Sequence, residues 1–346
     1  MSFVDLAPTA LSIAGCEIPE KMQGRIFLGH EKEEGPDYVH FYRDRMAERY
    51  DFSRAVTDGR YYFIRNFMPH RPRGRDARYG YLVQANWGAW EEAFERGDCN
   101  DIQSQFYQPK STCELFDSKE DPWHVTNLES QLKVQKRFKE LSEELDRWMI
   151  ATRDIGLIPE PMFHDLVEEN KEYKTLYEYA QSDDYPVEQI LEVAKASSSG
   201  DPEKLSTYFE YLKDGNPVIR FWGAYGLFLI RSKDAEVQSA LREIIKNDGL
   251  SANRIMAAQA LGLCGNPDMA FNTIMKEVNE TNQGYVLLQA LNAFQYSYTD
   301  TRLTLDDWKR FKDKKFPEDD EGSGLGYPQR IISDALELWP KRRKVD

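Results

Sequence analysis

Short β-prone runs, separated by turns, dominate the first third of the chain. Residues 39–42 predict a strand, and the runs 55–56 and 61–64 flank an Asp-Gly turn, a pattern typical of a β-hairpin. Residues 113–116 predict one further strand. Together these runs predict a small antiparallel sheet, preceded by a short helix over residues 4–15.

A helical period replaces this pattern after residue 128. Apolar side chains at spacings of three and four residues predict a long amphipathic helix that ends near Thr152. Gly156, Pro159 and Pro161 break the period and predict a domain boundary. The segment 67–112 is rich in arginine and aromatic residues, and we expect it to form a long irregular insertion.

Residues 186–298 carry a near repeat that predicts paired helices. Ala258-Gln-Ala-Leu261 and Leu288-Gln-Ala-Leu291 align at a spacing of 30 residues, and Arg220 aligns with Arg254 at a spacing of 34. The pattern resembles HEAT-type repeats, in which each helical pair buries its apolar face on the next. The predicted fold class is an α+β N-terminal part followed by an all-α, HEAT-like helical repeat domain.

The composition argues against some classes of function. A formal net charge of −14 disfavours nucleic acid as a partner, because binding a polyanion requires a clustered basic surface. No apolar run approaches the about 20 residues that cross a membrane, and the first residues show no signal peptide. The four cysteines lack the spacing of a zinc site or a disulfide framework, so ordinary buried thiols are expected.

Three strings of the sequence carry a resemblance to a known family. In chain order they are Asp5-Leu-Ala-Pro-Thr9 with Leu11-Ser-Ile-Ala-Gly15, Arg54-Ala-Val-Thr-Asp-Gly-Arg-Tyr-Tyr-Phe-Ile-Arg65, and Cys113-Glu-Leu-Phe-Asp-Ser-Lys-Glu-Asp-Pro-Trp-His-Val-Thr-Asn-Leu128. They resemble, in the same order, strings from the late part of sulfatases of the alkaline-phosphatase superfamily. The resemblance implies that residues 1–30 are the tail of an α/β catalytic domain and residues 31–155 its C-terminal subdomain. Residues 160–340 would be the HEAT-like domain.

The chemistry of that family depends on residues that the sequence does not show. Sulfatases carry a Cys or Ser that is oxidised to formylglycine in a C-x-P/A-S/x-R string, beside a divalent cation that acts as a Lewis acid. None of the four cysteines has an arginine four residues later, and no metal-binding string is present. We therefore predict no catalytic residue and no metal ligand in this chain. Calcium and formylglycine are implied only for a full-length enzyme of the family.

The loop after the hairpin supplies the candidate substrate-binding residues. In the family, loops of the C-terminal sheet lie beside the active-site mouth and help to select the substrate. The resemblance therefore makes His70 and Arg71 candidates for binding sulfate or uronate oxygens, with Arg73 and Arg75 extending that site. The alternative is that Arg71 pairs with a carboxylate of the protein and that His70 is structural. Tyr81, Trp87 and Trp90 would stack on sugar rings or pack the insertion.

These observations favour the C-terminal part of a sulfuric ester hydrolase that acts on a sulfated glycan and is inactive by itself. The family resemblance implies a periplasmic or secreted protein. The alternative is a non-catalytic interaction protein, in which the helical repeats bind a protein partner and residues 1–153 are a sulfatase remnant.

Overall fold

The computed structural model describes residues 2–46, 48–74, 84–169, 173–296, 303–313 and 326–342. The chain divides into two compact units. The sheet unit comprises Met1–Tyr42, Arg54–Arg65 and Cys113–Trp148, and the helical unit comprises Arg43–Ser53, Asn66–Thr112 and Met149–Asp346. The two units alternate along the chain, whereas the predicted domains are continuous; the predicted domain boundaries stay a prediction.

The regular elements follow the predicted division into a strand-rich first part and a helical remainder. The strands are β1 (Val39–Arg43), β2 (Ser53–Thr57), β3 (Tyr61–Asn66) and β4 (Cys113–Asp117). The helices are α1 (Leu6–Ile13), α2 (Ala85–Glu95), α3 (Asp101–Ser104), α4 (Gln135–Ala151), α5 (Leu176–Gln181), α6 (Val187–Ser198), α7 (Leu205–Tyr211), α8 (Pro217–Ile230), α9 (Ala235–Asn247), α10 (Ser251–Leu263), α11 (Pro267–Glu280), α12 (Gly284–Tyr296), α13 (Leu305–Asp313) and α14 (Gly326–Arg342).

The four strands form one antiparallel sheet in the order β1-β2-β3-β4. The predicted Asp-Gly hairpin is present: Gly59 has a φ of +92°, and the amide of Asp58 donates to the carbonyl of Tyr61. Strands β3 and β4 pair so that Tyr61 faces Asp117 and Arg65 faces Cys113. The predicted antiparallel sheet is confirmed.

Helix α4 buries its apolar stripe in the sheet unit, as its period predicts. Leu141 and Leu145 are fully buried, and the ring of Phe138 meets Phe63 of β3 edge-on at 5.2 Å between centroids. On the same side, Arg65 of β3 forms an ion pair with Asp146. Apolar contact and a charge-assisted bond together hold α4 to the strand.

The string 113–128 is held by two side chains that bond to the main chain. The amide oxygen of Asn127 accepts from the amide of Leu115 at 2.9 Å, and its nitrogen donates to the carbonyl of Cys113 at 3.2 Å. One carboxylate oxygen of Asp121 accepts from the amides of Val125 and Thr126. The bonds of Asn127 satisfy main-chain groups on the free edge of β4, and those of Asp121 satisfy amides of the loop that follows.

The first helix exposes apolar side chains. Helix α1 lies within the predicted range 4–15, but Val4, Leu6 and Ile13 are 59%, 44% and 61% exposed. The carboxylate of Asp5 instead anchors this segment, because it accepts from the amides of Ser2 and Arg25. The apolar face of α1 is thus not covered by the described part of the sheet unit.

Helices α8 and α10 of the helical unit repeat one polar arrangement. The guanidinium of Arg220 in α8 donates to the carbonyls of Asp214 and Gly215, and Arg254 in α10 donates to those of Asp248 and Gly249. All three positions are 34 residues apart. Helix α10 packs against α8, α9, α11 and α12. A helical domain with this internal spacing is observed, and its likeness to HEAT repeats stays a prediction.

The prediction of an irregular insertion over residues 67–112 is wrong where α2 and α3 lie. Trp87, Trp90 and Phe94 follow one another at spacings of three and four residues, which places them on one face of α2. Trp90 stacks on Phe106 with centroids 4.7 Å apart. The aromatic residues of α2 therefore pack within the segment itself, whereas Tyr81 lies outside the described residues.

Candidate binding pocket

The segment that follows β3 is held within the helical unit by hydrogen bonds of its main chain. The amide of Phe67 donates to the carbonyl of Phe52, and the carbonyl of Phe67 accepts from the hydroxyl of Ser198 in α6 at 2.9 Å. The ring of Phe67 stacks on Phe52 with centroids 4.4 Å apart. These contacts leave His70 and Arg71 at a defined position beside the helices.

His70 and Arg71 form a short hydrogen-bonded chain with Tyr225 of α8. The Nε of Arg71 donates to Nε2 of His70 at 3.4 Å, while Nδ1 of His70 lies 2.8 Å from the hydroxyl of Tyr225. Because an arginine can only donate, Nε2 accepts and the neutral ring carries its proton on Nδ1. Nδ1 therefore donates this hydrogen bond to the hydroxyl oxygen of Tyr225.

Burial and nearby cations keep His70 neutral. Burial, followed by the charges of Arg71, Lys110 and Arg231, lowers the pKa of His70 well below its usual value. Burial also raises the pKa of Tyr225 well above its usual value. At neutral pH the chain of groups therefore presents an imidazole and a phenol, and its one formal charge lies on Arg71.

A buried ion pair lies beside this chain. The ammonium of Lys110 contacts both carboxylate oxygens of Asp51 at 2.6 and 2.7 Å, and both side chains are almost wholly buried. Burial lowers the pKa of Lys110 to about 8 despite the opposing attraction of Asp51. Burial works to raise the pKa of Asp51, but Lys110, Arg43 and Arg49 lower it overall.

His70, Arg71 and Tyr225 border a pocket of about 500 Å³, a volume that includes space open to solvent. Three helices and three chain segments supply its walls, all from the helical unit. The lining residues are Arg45, Tyr50, Met68, His70, Arg71, Pro159, Glu160, Pro161, Phe221, Tyr225, Met256, Gln259, Gln289 and Asn292.

The lining of the pocket contains charged side chains. The Nε of Arg45 donates to the carboxylate of Glu160 at 2.8 Å, so these two residues form an ion pair. Burial raises the pKa of Glu160, and Arg45 opposes that change. Arg71 adds a second guanidinium to the lining, and the nearby carboxylate of Asp44 acts on the pKa of both Glu160 and Tyr50.

Two carboxamides present acceptor atoms that have no hydrogen-bond partner among the described residues. Asn292 is 2% exposed and donates through Nδ2 to the carbonyl of Glu48, while Gln289 donates through Nε2 to the carbonyl of Ala252. Both nitrogens therefore face carbonyl oxygens, which fixes the orientation of each amide. The oxygens Oδ1 of Asn292 and Oε1 of Gln289 are buried and unsatisfied.

The structure brings together two of the four predicted substrate-binding residues. His70 and Arg71 line the pocket. Arg73 does not line it, and the carbonyl of Arg73 accepts from Arg49. Arg75 lies outside the described residues. The role of all four in binding substrate stays a prediction.

Sequence reasoning missed the pocket residues that the helices supply. The polar positions of α10 and α12 were considered only as parts of a repeat pattern. A signal was nevertheless present, because Gln259 and Gln289 are the glutamines of the two aligned Gln-Ala-Leu strings. A polar residue that recurs on a buried helical face indicates a role other than packing.

The metal and nucleophile of the resembled family find no fit in the described residues. Across the described ranges no group of three or more His, Cys, Asp or Glu residues is placed to hold a metal ion. All four cysteines are free; Cys264 is buried as expected, but Cys16 is exposed, so the expectation of buried thiols is wrong there. Cys264 has its pKa raised by burial to about 11, which disfavours the reactive thiolate.

Helices that could span a membrane are not found in the described part of the chain.

The pocket brings His70 and Arg71 together with polar side chains of three helices. No protein-family model matches the chain. Over 168 residues the chain is 36% identical to an ulvan-active sulfatase from Formosa agariphila. The match covers 46% of the chain and 27% of that protein, so the chain spans about a quarter of the relative's length. The chain is therefore related to a sulfatase, as its three strings indicated.

Proposed function

We propose that this chain is the C-terminal, substrate-binding part of a sulfuric ester hydrolase that acts on a sulfated glycan. The observation that supports it most is the relationship to an ulvan-active sulfatase. The nucleophile and the metal site would come from residues outside this sequence, where calcium and formylglycine would act. The protein would work in the periplasm or outside the cell, as the family resemblance implies.

The pocket gives this proposal a physical basis. A guanidinium that is held by other protein groups binds an anionic oxygen group with little loss of conformational entropy. Arg71 is buried, donates to the carbonyl of Tyr50, and lies with its Cζ 5.7 Å from the centre of the Tyr50 ring. Arg71 thus places a held guanidinium at the pocket, where it could bind an anionic oxygen group of the ligand.

The test measures binding of a sulfated oligosaccharide and of its desulfated form to the purified chain. We expect the sulfated form to bind more tightly than the desulfated form. Arg71→Lys should weaken the binding of the sulfated form by about tenfold, because the substitution keeps the charge but removes the planar donor pair. Arg96→Lys is the matched control, since Arg96 is exposed in the same unit. Equal binding of both saccharides, or no effect of Arg71→Lys, would contradict the proposal.

A second experiment concerns catalysis. The chain is coexpressed with a formylglycine-generating enzyme and assayed with a chromogenic aryl sulfate in the presence of calcium. We expect no turnover. Turnover that survives replacement of all four cysteines but is lost in His70→Ala would overturn the proposal and indicate a catalytic site at the pocket. Protein capture through the helices, without any saccharide binding, would favour the interaction protein instead.

A further inference from the structure

We propose that Gln259 of α10, together with Gln289 and Asn292 of α12, forms hydrogen bonds to the hydroxyl groups of a single sulfated sugar unit. This inference rests on the proposed function and adds to it, because it assigns binding residues to the helical domain. It also names the ligand class: one sugar ring that carries a sulfate group, with Arg71 at the sulfate and the carboxamides at the hydroxyls.

The unsatisfied acceptors are the first observation. A buried carbonyl oxygen without a hydrogen bond is unfavourable, and native structures contain few of them. Two such oxygens, on Gln289 and Asn292, occur in residues that line the same pocket. A carboxamide oxygen accepts from O–H or N–H donors, so the missing partner must donate hydrogen bonds. Sugar hydroxyls are donors of this kind, whereas an ionised sulfate group is not.

The recurrence of polar residues at one position of the repeat is the second observation. Tyr225, Gln259 and Gln289 occupy the same position of α8, α10 and α12, at spacings of 34 and 30 residues. All three line the pocket. Gln259 is only 6% exposed, although glutamine is mostly found on surfaces. Helices α8, α10 and α12 therefore turn polar side chains toward the pocket, beside the apolar residues that they bury.

The remaining walls suit the carbon skeleton of a sugar. Tyr50, Phe221 and Tyr225 contribute aromatic side chains, and Met68 and Met256 contribute adaptable apolar ones. An apolar pocket with a few placed polar groups is the usual form of a small-molecule site.

The experiment compares two ligands that share an anion but differ in hydroxyl groups. Glucose 6-sulfate and inorganic sulfate are titrated into the purified chain by calorimetry. In Gln289→Met the side chain keeps its length and loses the acceptor. We expect this substitution to weaken the binding of glucose 6-sulfate by about 2- to 12-fold, which is the contribution of one hydrogen bond, and to leave the affinity for inorganic sulfate unchanged. Asn292→Leu should act in the same way, and Gln189→Met, on the exposed face of α6, is the control.

The outcomes separate this inference from the function on which it rests. If glucose 6-sulfate binds through Arg71 but Gln289→Met and Asn292→Leu have no effect, the inference is wrong and the proposed function stands. If the two variants weaken both ligands equally, they act on the fold and the inference is also wrong. If neither ligand binds the wild-type chain, and a crystal structure shows water on both amide oxygens, both proposals fail.

Discussion

Mild acid should destabilise the helical unit through His70. Burial and the charges of Arg71, Lys110 and Arg231 lower the pKa of His70 well below its usual value in the folded chain. In the unfolded chain a histidine titrates near pH 6.5, at about the reference value. Below that pH the unfolded state binds a proton that the folded state does not. The free energy of unfolding therefore falls as the pH decreases from about 6.5 toward the folded pKa.

The size of the effect follows from linkage. One proton of difference changes the free energy of unfolding by about 1.4 kcal/mol per pH unit. If His70 stays neutral in the folded chain down to about pH 5, its contribution between pH 7 and pH 5 is a loss of about 2 kcal/mol. Above about pH 6.5 His70 is neutral in both the folded and the unfolded chain, so the free energy of unfolding loses nothing at this position.

The assay is urea unfolding at pH 7 and pH 5, followed by tryptophan fluorescence. The comparison is with His70→Asn, whose amide keeps a polar group near the Tyr225 hydroxyl but does not titrate. Other titrating groups are common to both proteins and cancel in the difference. We expect the wild type to lose about 2 kcal/mol more than the variant between the two pH values.

A second variant checks the stated cause. Tyr225→Phe removes the hydrogen bond to His70 and leaves the ring buried, so most of the pH-dependent loss should remain. The reasoning is refuted if the wild type and His70→Asn lose the same free energy, because His70 would then titrate alike in the folded and unfolded chain.

Three further stability predictions follow from buried contacts, each measured by chemical unfolding. Lys110→Met should lower the free energy of unfolding by about 3–5 kcal/mol, because it leaves the buried carboxylate of Asp51 without its ammonium partner. Adding Asp51→Asn should recover part of that loss. A double variant that is no more stable than Lys110→Met would contradict this. Asn127→Ala should cost about 1–3 kcal/mol, since it frees the amide of Leu115 and the carbonyl of Cys113; a change within about 0.5 kcal/mol would count against this account. Gly223→Ala should destabilise the chain by about 1–3 kcal/mol, because its new methyl group would lie 2.8 Å from Cβ of Tyr211, whereas Gly215→Ala meets no atom within 4 Å and should be tolerated.

Local pattern predicted the elements well where one period dominates. The hairpin around Asp58 and Gly59 and the helix from residue 135 to 151 follow from signals within a few residues of each other. The same logic applied to Trp87, Trp90 and Phe94 would have predicted α2. That helix was missed because the segment's arginines and glycines were given more weight than the spacing of its aromatic residues.

The candidate site was predicted only in part. His70 and Arg71 were found because they follow the hairpin directly, in a chain that resembles sulfatases. Arg73 was assigned by proximity along the chain, and the structure places it outside the pocket lining. Gln289 and Asn292 could not be assigned from sequence, because a polar residue in a helix is most often on a solvated face.

The sequence by itself determined the antiparallel sheet, the helical remainder, the sulfatase relationship and the basic loop after the hairpin. Periodicity and turn chemistry act between residues that are close in the chain, so they can be read without coordinates. Only the tertiary structure decided which distant residues meet. His70 contacts Tyr225 across 155 residues, and Asn292 donates to Glu48 across 244. Those meetings depend on how whole helices pack, and packing is a property of the complete helical unit.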